Sequence, residues 1–176
     1  NQVKDIDIGV RELLIIISVF NNPISIETIS KVIGKQDGDV EQIISDLVKK
    51  GIIAQKINDK GFVFDFYNKL LKKLIYDGLD KESKRVKHEH IAGVLEENFD
   101  QSDNSFKEEL IYHLEMAREK DKVIKYSIDN ADKFEKLNIR EGAIKSLEKA
   151  VSMFEDGNID HRLTQILIRL GDIYRR

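Results

Sequence analysis

The stretch Glu109–Ala150, ELIYHLEMAREKDKVIKYSIDNADKFEKLNIREGAIKSLEKA, decides the fold of this chain. It contains three consecutive amphipathic helical patterns, each too short and too polar to be stable alone. Such helices bury their apolar stripes only by stacking on neighbours, which is the principle of a helical-repeat arm. Repeat arms hold partners and transmit signals, so this stretch predicts an interaction role and no reaction.

The composition is typical of a mostly helical, well-solvated protein. Of the 176 residues, 41% are hydrophobic and 35% are charged, with one Pro and no Trp. This length allows one medium domain or two small ones. The formal net charge of −3 gives no overall attraction to nucleic acid or to an anionic membrane.

The chain has no Cys, which excludes disulfides, thiolate metal sites and Cys nucleophiles. This fits a reducing compartment, and we expect a cytoplasmic location. The apolar run Leu13–Phe20 is far shorter than the roughly 18 residues that a membrane span needs. The chain begins at Asn1 and ends at Arg176 inside a helical pattern, so we expect it to be a piece of a longer protein.

Two helices are predicted before residue 35. After a frayed polar lead-in at 1–8, a dense apolar pattern predicts a helix over 10–20, which Pro23 stops. Ser25 caps a second, short helix that ends at Gly34.

A third helix and two strands follow. Asp37 or Asp39 caps this helix, which runs to Lys50. The spacing of the apolar residues then changes from the helical period. It predicts strands at 52–57 and 62–66, joined by a polar turn at 58–61. The order of these elements resembles that of a winged-helix domain over residues 9–66. The resemblance is carried by the segment SIETISKVIGKQDGDVEQIISDLVKKGIIAQK.

The winged-helix resemblance raises a DNA-binding transcriptional regulator with a helical sensor arm as an alternative function. A recognition helix needs Lys, Arg, Asn or Gln facing the groove. The third helix instead carries the carboxylates of Asp39, Glu41 and Asp46 on its exposed side. Carboxylates repel phosphates, so we favour a winged helix that packs on protein.

From Tyr67 onward every pattern is helical. The predicted helices are one that ends near Asp77, one that Asp80 caps, and four at 106–118, 121–136, 139–155 and 160–176, with a polar loop at 98–105. Short connections make consecutive helices antiparallel neighbours. We predict a mainly α fold with a winged helix at 1–66, a linking helical bundle at 67–118, and repeats at 119–176.

Two segments resemble tetratricopeptide repeats. In the second segment the first-helix signature is matched by Leu167, Leu170, Gly171 and Tyr174. Ala131 and Phe134 take the Gly and Tyr places 40 residues earlier, and Ala143, Leu147 and Ala150 match the second helix. The usual period is about 34 residues, and a longer loop at 155–160 explains the difference. The resemblance implies an α-solenoid.

A solenoid of this kind exposes a concave face to partners. That face would belong to the first helices of the pairs, with Asp129, Lys133 and Lys136 around Tyr126.

Three motifs occur in order between residues 66 and 126. The first comprises Phe66, Leu70, Leu71, Tyr76 and Leu79; the second Arg85, His88, Ile91, Ala92, Leu95 and Glu96; the third Glu109, Leu110, His113, Ala117 and Tyr126. Their order resembles the region after the nucleotide-binding domain in bacterial STAND-class (AAA-type) signal-transduction ATPases. Asn68 and Lys87 depart from the motifs, standing in place of His and Leu.

The resemblance implies a non-catalytic relay between an ATPase core and an output domain. In such proteins the winged helix packs on the nucleotide domain, and the arm receives a signal. ATP and any ATPase, kinase or nucleotide cyclase activity would belong to the parent protein. Expected partners are domains of the same parent chain or other proteins, rather than nucleic acid, membrane or metal. A small-molecule sensor in the groove of the arm is a further alternative.

Side chains that suggest chemistry have structural explanations. His88 and His90 point about 200° apart on a helix and cannot ligate one ion. We expect His88 and His113 to pack or hydrogen-bond between helices. The segment 34–38 lacks the preceding strand and the Ser or Thr of a phosphate loop. We therefore expect no catalytic, cofactor or metal site in this chain.

A basic cluster occupies residues 69–87, comprising Lys69, Lys72, Lys73, Lys81, Lys84, Arg85 and Lys87. Such a cluster is usually a solvated helix face. As a functional alternative, Lys72, Lys73, Lys84 and Arg85 are candidates for docking against an acidic surface of the ATPase domain.

Overall fold

The computed structural model describes residues 2–59, 61–98, 104–154 and 161–175, without the side chains of 2–8, 104 and 105. Within these ranges it contains nine helices and one antiparallel hairpin, so the mainly α prediction is confirmed. The elements are α1 (Gln2–Val19), α2 (Ile26–Ile33), α3 (Asp37–Lys49), β1 (Ile53–Asn58), β2 (Gly61–Phe66), α4 (Lys69–Asp77), α5 (Lys81–Asn98), α6 (Asn104–Met116), α7 (Lys120–Lys136), α8 (Arg140–Val151) and α9 (His161–Arg175).

The chain divides into two compact units, Asn1–Asn98 and Phe99–Arg176. Helices α4 and α5 belong to the first unit with the winged-helix elements, and α6 belongs to the second with the repeat helices. The predicted linking bundle at 67–118 spans residues of both units, and the division at 66 and 118 stays a prediction.

Local signals set the ends of α2. The side chain of Ser25 accepts a hydrogen bond from the Thr28 amide at 3.2 Å, which satisfies a free donor of the first turn. Gly34 ends the helix in the left-handed region with φ 65°, a conformation that Gly adopts without steric cost. Both predicted ends of this helix are confirmed.

The hairpin follows α3 directly. Its strands pair from Ile53 with Phe66 to Asn58 with Gly61. The predicted first strand includes residue 52, which lies just before β1, and the predicted turn includes residue 58, which is the last residue of β1. Position 60 of the predicted turn lies outside the described residues. Ile24 adds a short third pairing to β2, because its amide donates to the carbonyl of Phe64 at 3.0 Å.

The apolar sides of α1, α2, α3 and the hairpin converge on one core. Its most deeply buried apolar side chains are Leu13, Ile17, Val19, Phe20, Ile29, Val40, Ile44, Ile53 and Phe66. Against this core α4 packs on α1 and β2, and α5 packs on α1 and α2.

In the second unit α7 packs between α6 and α8, and α8 also packs on α9. Arg162 near the start of α9 pairs with Asp121 near the start of α7 at 2.9 Å. Lys149 near the end of α8 pairs with Glu115 near the end of α6 at 2.7 Å. Alternate helices therefore run parallel and consecutive ones antiparallel, which is the arrangement of stacked helical hairpins.

Three local predictions were wrong. Helix α1 begins at Gln2 rather than at 10, because Val3, Ile6 and Val10 already follow the helical period. Gln36, not Asp37 or Asp39, is the N-cap of α3, and it makes no side-chain capping bond. Within the predicted loop at 98–105, Asn98 ends α5 and Asn104 begins α6. Residues 99–103, like the predicted loop at 155–160, lie outside the described residues.

Candidate protein-interaction surfaces

A buried carboxylate fixes α4 to the winged helix. Asp65 of β2 is 0% exposed, and its side chain pairs with Lys69 and, at 2.8 Å, with Lys72. It also accepts a hydrogen bond from the Phe66 amide at 2.8 Å. Burial raises the pKa of Asp65, but hydrogen bonds from Lys69 and Lys72 outweigh it, so the pKa lies below its ordinary value.

The role of Asp65 was not predicted, although its spacing to Lys69 and Lys72 is visible in the sequence. The signal is an Asp at the end of a strand, followed by Lys at four and seven positions on the next helix. Asn68, which departs from the first motif, also has a structural role. Asn68 is the N-cap of α4 and accepts hydrogen bonds from the amides of Leu70 and Leu71.

A second contact joins α4 to α5. The Tyr76 hydroxyl lies 3.0 Å from Nε2 of His88, which is fully buried, and the two rings meet edge to face. Lys84 Nζ lies 4.5 Å from the centre of the Tyr76 ring and 3.8 Å from Asp77. Burial, together with the charge of Asp77, raises the pKa of Tyr76. This cluster holds the helix pair together.

Two other residues of α5 also make contacts inside the unit: His90, which is not part of the second motif, and Arg85, which is. Nε2 of His90 lies 2.7 Å from the carbonyl oxygen of Val32, which ties α5 to α2. Arg85 pairs with Glu82 at 2.7 Å and with Glu89 at 2.9 Å, both on its own helix.

The four predicted docking cations therefore differ in availability. Lys72, with a side chain only 12% exposed, is engaged by Asp65, while Lys84 and Arg85 are held by neighbours within the unit. Lys73 is exposed. Docking through these residues stays a prediction, and Lys73 is the member best placed to reach a partner.

The outer side of α4 is apolar and exposed. Tyr67 is 76% exposed, Leu70 64% and Leu74 61%. Leu70, Lys73 and Leu74 share one side of the helix by their spacing, opposite Lys72. Phe66, the other residue of the first motif, is instead buried in the core.

The exposed side of α4 borders a groove of about 440 Å³ between α1 and α4. Its lining comprises Val10, Arg11, Leu14, Ile15, Leu74, Ile75, Gly78 and Leu79. We call Tyr67, Leu70, Lys73, Leu74 and this groove the α1–α4 face. Exposed apolar side chains in such a group mark interaction sites.

The surface that a DNA-binding winged helix would use is acidic. Asp39, Glu41 and Asp46 are all exposed along α3. The tip of the hairpin presents two apolar side chains, Ile57 and Phe62, which pair across the strands and are both largely exposed. These features do not match the basic surface that phosphate contacts require.

In the second unit His113 and Tyr126 are buried between helices. Nε2 of His113 lies 3.3 Å from a carboxylate oxygen of Glu109, one turn earlier on α6. Burial lowers the pKa of His113, although Glu109 acts in the opposite direction. Tyr126 is buried, so its ring is not itself exposed on a partner-binding face; Asp129 and Lys136 nearby are exposed and Lys133 is partly exposed.

The repeat landmarks lie at helix contacts. Ala143 is fully buried on α8. Tyr174 is exposed on α9, and its hydroxyl donates to Glu148 at 2.9 Å while its carbonyl accepts from Arg140 at 3.1 Å. Gly171 is one turn from Arg175, whose guanidinium lies 3.9 Å from the position of an added Cβ.

Among the residues that the structure describes, no group of three or more His, Cys, Asp or Glu is arranged to hold a metal ion. No helix in the described ranges is both long and apolar enough to cross a membrane.

A comparison with known protein families gave a match within the first unit. A family model described as PCI domain matches residues 2–68, which is less than half of the chain. The match extends from α1 to the end of the hairpin, the region that resembles a winged helix. A search among curated proteins gave no match.

A PCI domain is a winged-helix-like, non-catalytic domain that mediates protein–protein interactions in complexes. The first 68 residues are thus similar to an interaction domain, in agreement with the sequence interpretation of this region. The longer resemblance to STAND-class ATPases stays a prediction.

Proposed function

We propose that this chain is a non-catalytic protein-interaction and relay module whose first unit docks on a partner domain through the α1–α4 face. The partner is a nucleotide-binding domain of the same parent protein, a cytoplasmic STAND-class signal-transduction ATPase. ATP is bound by that domain and not by this chain.

The observation that carries the proposal is the rigid presentation of an apolar surface. Asp65 and Lys72 fix the inner side of α4, and the Tyr76–His88 contact fixes α4 to α5. The outer side nevertheless exposes Tyr67, whose side chain is 76% accessible, and two leucines. A surface that is both apolar and fixed loses little conformational entropy on binding, which favours association.

Charge supports the choice of a protein partner over DNA. The exposed carboxylates of α3 would repel phosphates, whereas the α1–α4 face carries Lys73 and Arg11 beside its apolar side chains. This face suits a partner with an apolar patch bordered by carboxylates. The ATPase placement rests on the order of the three motifs between residues 66 and 126.

The parent sequence tests the placement first. We expect a P-loop upstream of residue 1, and a parent without a nucleotide-binding domain would contradict the ATPase assignment. With that domain purified, calorimetric titration against the 176-residue chain should detect binding.

The double variant Leu70→Glu/Leu74→Glu should bind at least about tenfold more weakly, since it places charge in an apolar contact. Val86→Glu, at another exposed apolar position on α5, should bind like the wild type. Equal binding by the double variant would contradict the proposed face.

A further inference from the structure

The groove of the α1–α4 face is lined by residues that repeat at helical spacing on both of its helices. On α1 the lining residues fall into two pairs one turn apart, 10–11 and 14–15, and on α4 into the pairs 74–75 and 78–79. Rows of side chains at this spacing are the ridges by which helices pack on one another. The groove between two such rows has the shape that accepts a third helix.

The lining of the groove is almost entirely apolar. Among the described residues that form it, Arg11 is the one charged side chain, and the others are aliphatic apart from Gly78. Leu14 and Ile15 are half-buried, whereas Leu74 is 61% exposed. An occupant of the groove therefore has to supply apolar side chains along most of its length and an opposite charge for Arg11.

Gly78 leaves open space on the α4 side of the groove, where that helix ends. It is exposed and has the right-handed helical φ of −67°, so the backbone does not require Gly there. An added Cβ would meet only the carbonyl oxygens of Leu74 and Ile75, at 3.3 and 3.4 Å, and no described atom of α1 within 4 Å. The missing side chain thus leaves room for a side chain of the occupant.

The main chain around the groove offers no hydrogen bonds to an extended segment. Both walls are α-helices, whose N–H and C=O groups bond within the helix. A strand laid in the groove would bury its own main-chain groups without partners, which costs free energy. A helix satisfies these groups internally and presents only side chains, so an amphipathic helix is the form of polypeptide that fits.

We propose that this groove receives one amphipathic helix of the partner, with aliphatic side chains at positions i and i+4 and a carboxylate at i+3. These three positions lie on one side of a helix. The aliphatic pair packs between Leu14 and Leu74, and one of its members fills the space above Gly78. The carboxylate pairs with Arg11. This inference rests on the proposed function and names the part of the partner that the α1–α4 face binds.

The charges around the groove favour an acidic helix over a basic one. Lys73 is exposed on the outer side of α4 and adds a second positive charge to that of Arg11. The carboxylates of Glu12 and Asp77 do not line the groove, and Asp77 lies 3.8 Å from a lysine of α5. A Lys in place of the carboxylate would set Arg11 against a like charge, which weakens association.

The test titrates the ¹⁵N-labelled 176-residue chain with an Ala-rich peptide of about 16 residues, which is long enough to form a helix. The peptide carries Leu at i and i+4 and Glu at i+3. The amide of Gly78 and those of its neighbours in the groove should shift, with a dissociation constant on the order of 0.1–1 mM, because the contact is much smaller than a stable interface. A control peptide of the same composition has its leucines two positions apart, on opposite sides of the helix, and should bind about tenfold more weakly.

Variants of the chain locate the bound helix. Gly78→Leu fills the open space and should weaken peptide binding by at least about tenfold. Gly93→Leu is the matched control, because an added Cβ on this Gly of α5 also meets nothing of α1 within 4 Å, and it should bind normally.

A charge exchange tests the contact with Arg11. Arg11→Glu should weaken the peptide several-fold, and a peptide with Lys in place of its Glu should regain binding to this variant while binding the wild type poorly. A substitution that only damaged the fold would weaken both peptides alike.

Two results would overturn the inference. One is a wild-type spectrum that does not change up to about 5 mM peptide. The other is equal peptide binding by the wild type and Gly78→Leu. Neither result contradicts the proposed function, which is tested by binding of the nucleotide-binding domain and its loss in Leu70→Glu/Leu74→Glu. Conversely, a peptide that binds while that domain does not would support the helix-binding groove and contradict the domain as the partner.

Discussion

Nζ of Lys72 lies 2.8 Å from Oδ1 of Asp65, and the carboxylate side chain is only 1% exposed. This ion pair joins β2 of the winged helix to α4. Because the pair is buried, each charge depends on the other for its stability.

We therefore expect Lys72→Met to lower the free energy of unfolding by about 2–4 kcal/mol, since it leaves a buried carboxylate with a single cationic partner, the exposed Lys69. Lys69→Met is the matched control, because the Lys69 side chain is 65% exposed. It should cost about 1 kcal/mol or less. Urea unfolding followed by circular dichroism measures both, and equal effects would show that Lys72 has no special role.

The same carboxylate predicts a dependence on acid. The pKa of Asp65 is lower in the folded chain than its ordinary value of 3.8, because the two lysines outweigh the effect of burial. Its contribution to stability is complete above that ordinary value and is lost as the pH falls through the folded pKa. The stability difference between the wild type and Asp65→Asn should accordingly be smaller at pH 3 than at pH 7. A difference that grows in acid would contradict this.

His113 should give a second pH effect, in the other unit. Burial lowers its pKa below 6.5, so the unfolded chain takes up a proton there before the folded chain does. Stability of α6 and α7 should then decrease as the pH falls from 7 to 5. Hydrogen exchange of their amides measures this, with His113→Gln expected to flatten the dependence. The exposed His161→Gln should retain the wild-type slope.

Two glycines in helices should respond oppositely to alanine. A Cβ on Gly142 would lie 2.7 Å from the ring of Phe134, so Gly142→Ala should destabilise by about 1–3 kcal/mol. A Cβ on Gly93, inside α5, would meet nothing within 4 Å. Gly93→Ala should therefore stabilise by up to about 1 kcal/mol through helix propensity. Thermal melts of the two variants check the contrast, and melting shifts of the same sign would contradict it.

Features governed by neighbouring residues could be predicted from the sequence. Ser25 and Gly34 mark the ends of α2, and the change of period after Gly51 marks the hairpin. Helix α3 shows the limit of such reasoning. Asp37 and Asp39 have the residue type of a cap, but the helix begins at Asp37 and thus places both inside its first turn.

Contacts between distant segments could not be predicted in the same way. The sequence shows the charges of Asp65 and Lys72, but only the packing of α4 on β2 brings them together. The basic cluster of 69–87 similarly looks uniform in the sequence, whereas the fold uses Lys72 and Lys84 internally and leaves Lys73 exposed. The open space above Gly78 becomes visible only when α4 packs on α1.

The most direct test of the central claim, that the first unit binds protein through the α1–α4 face, is site-specific photocrosslinking in the cells that make this protein. A photoreactive residue at Leu74 should give protein adducts that Leu70→Glu suppresses, and mass spectrometry should map them to a nucleotide-binding domain. The same residue at Gln42 on α3 is the control for nucleic acid. Absence of protein adducts at Leu74, or nucleic-acid adducts at Gln42, would contradict the account.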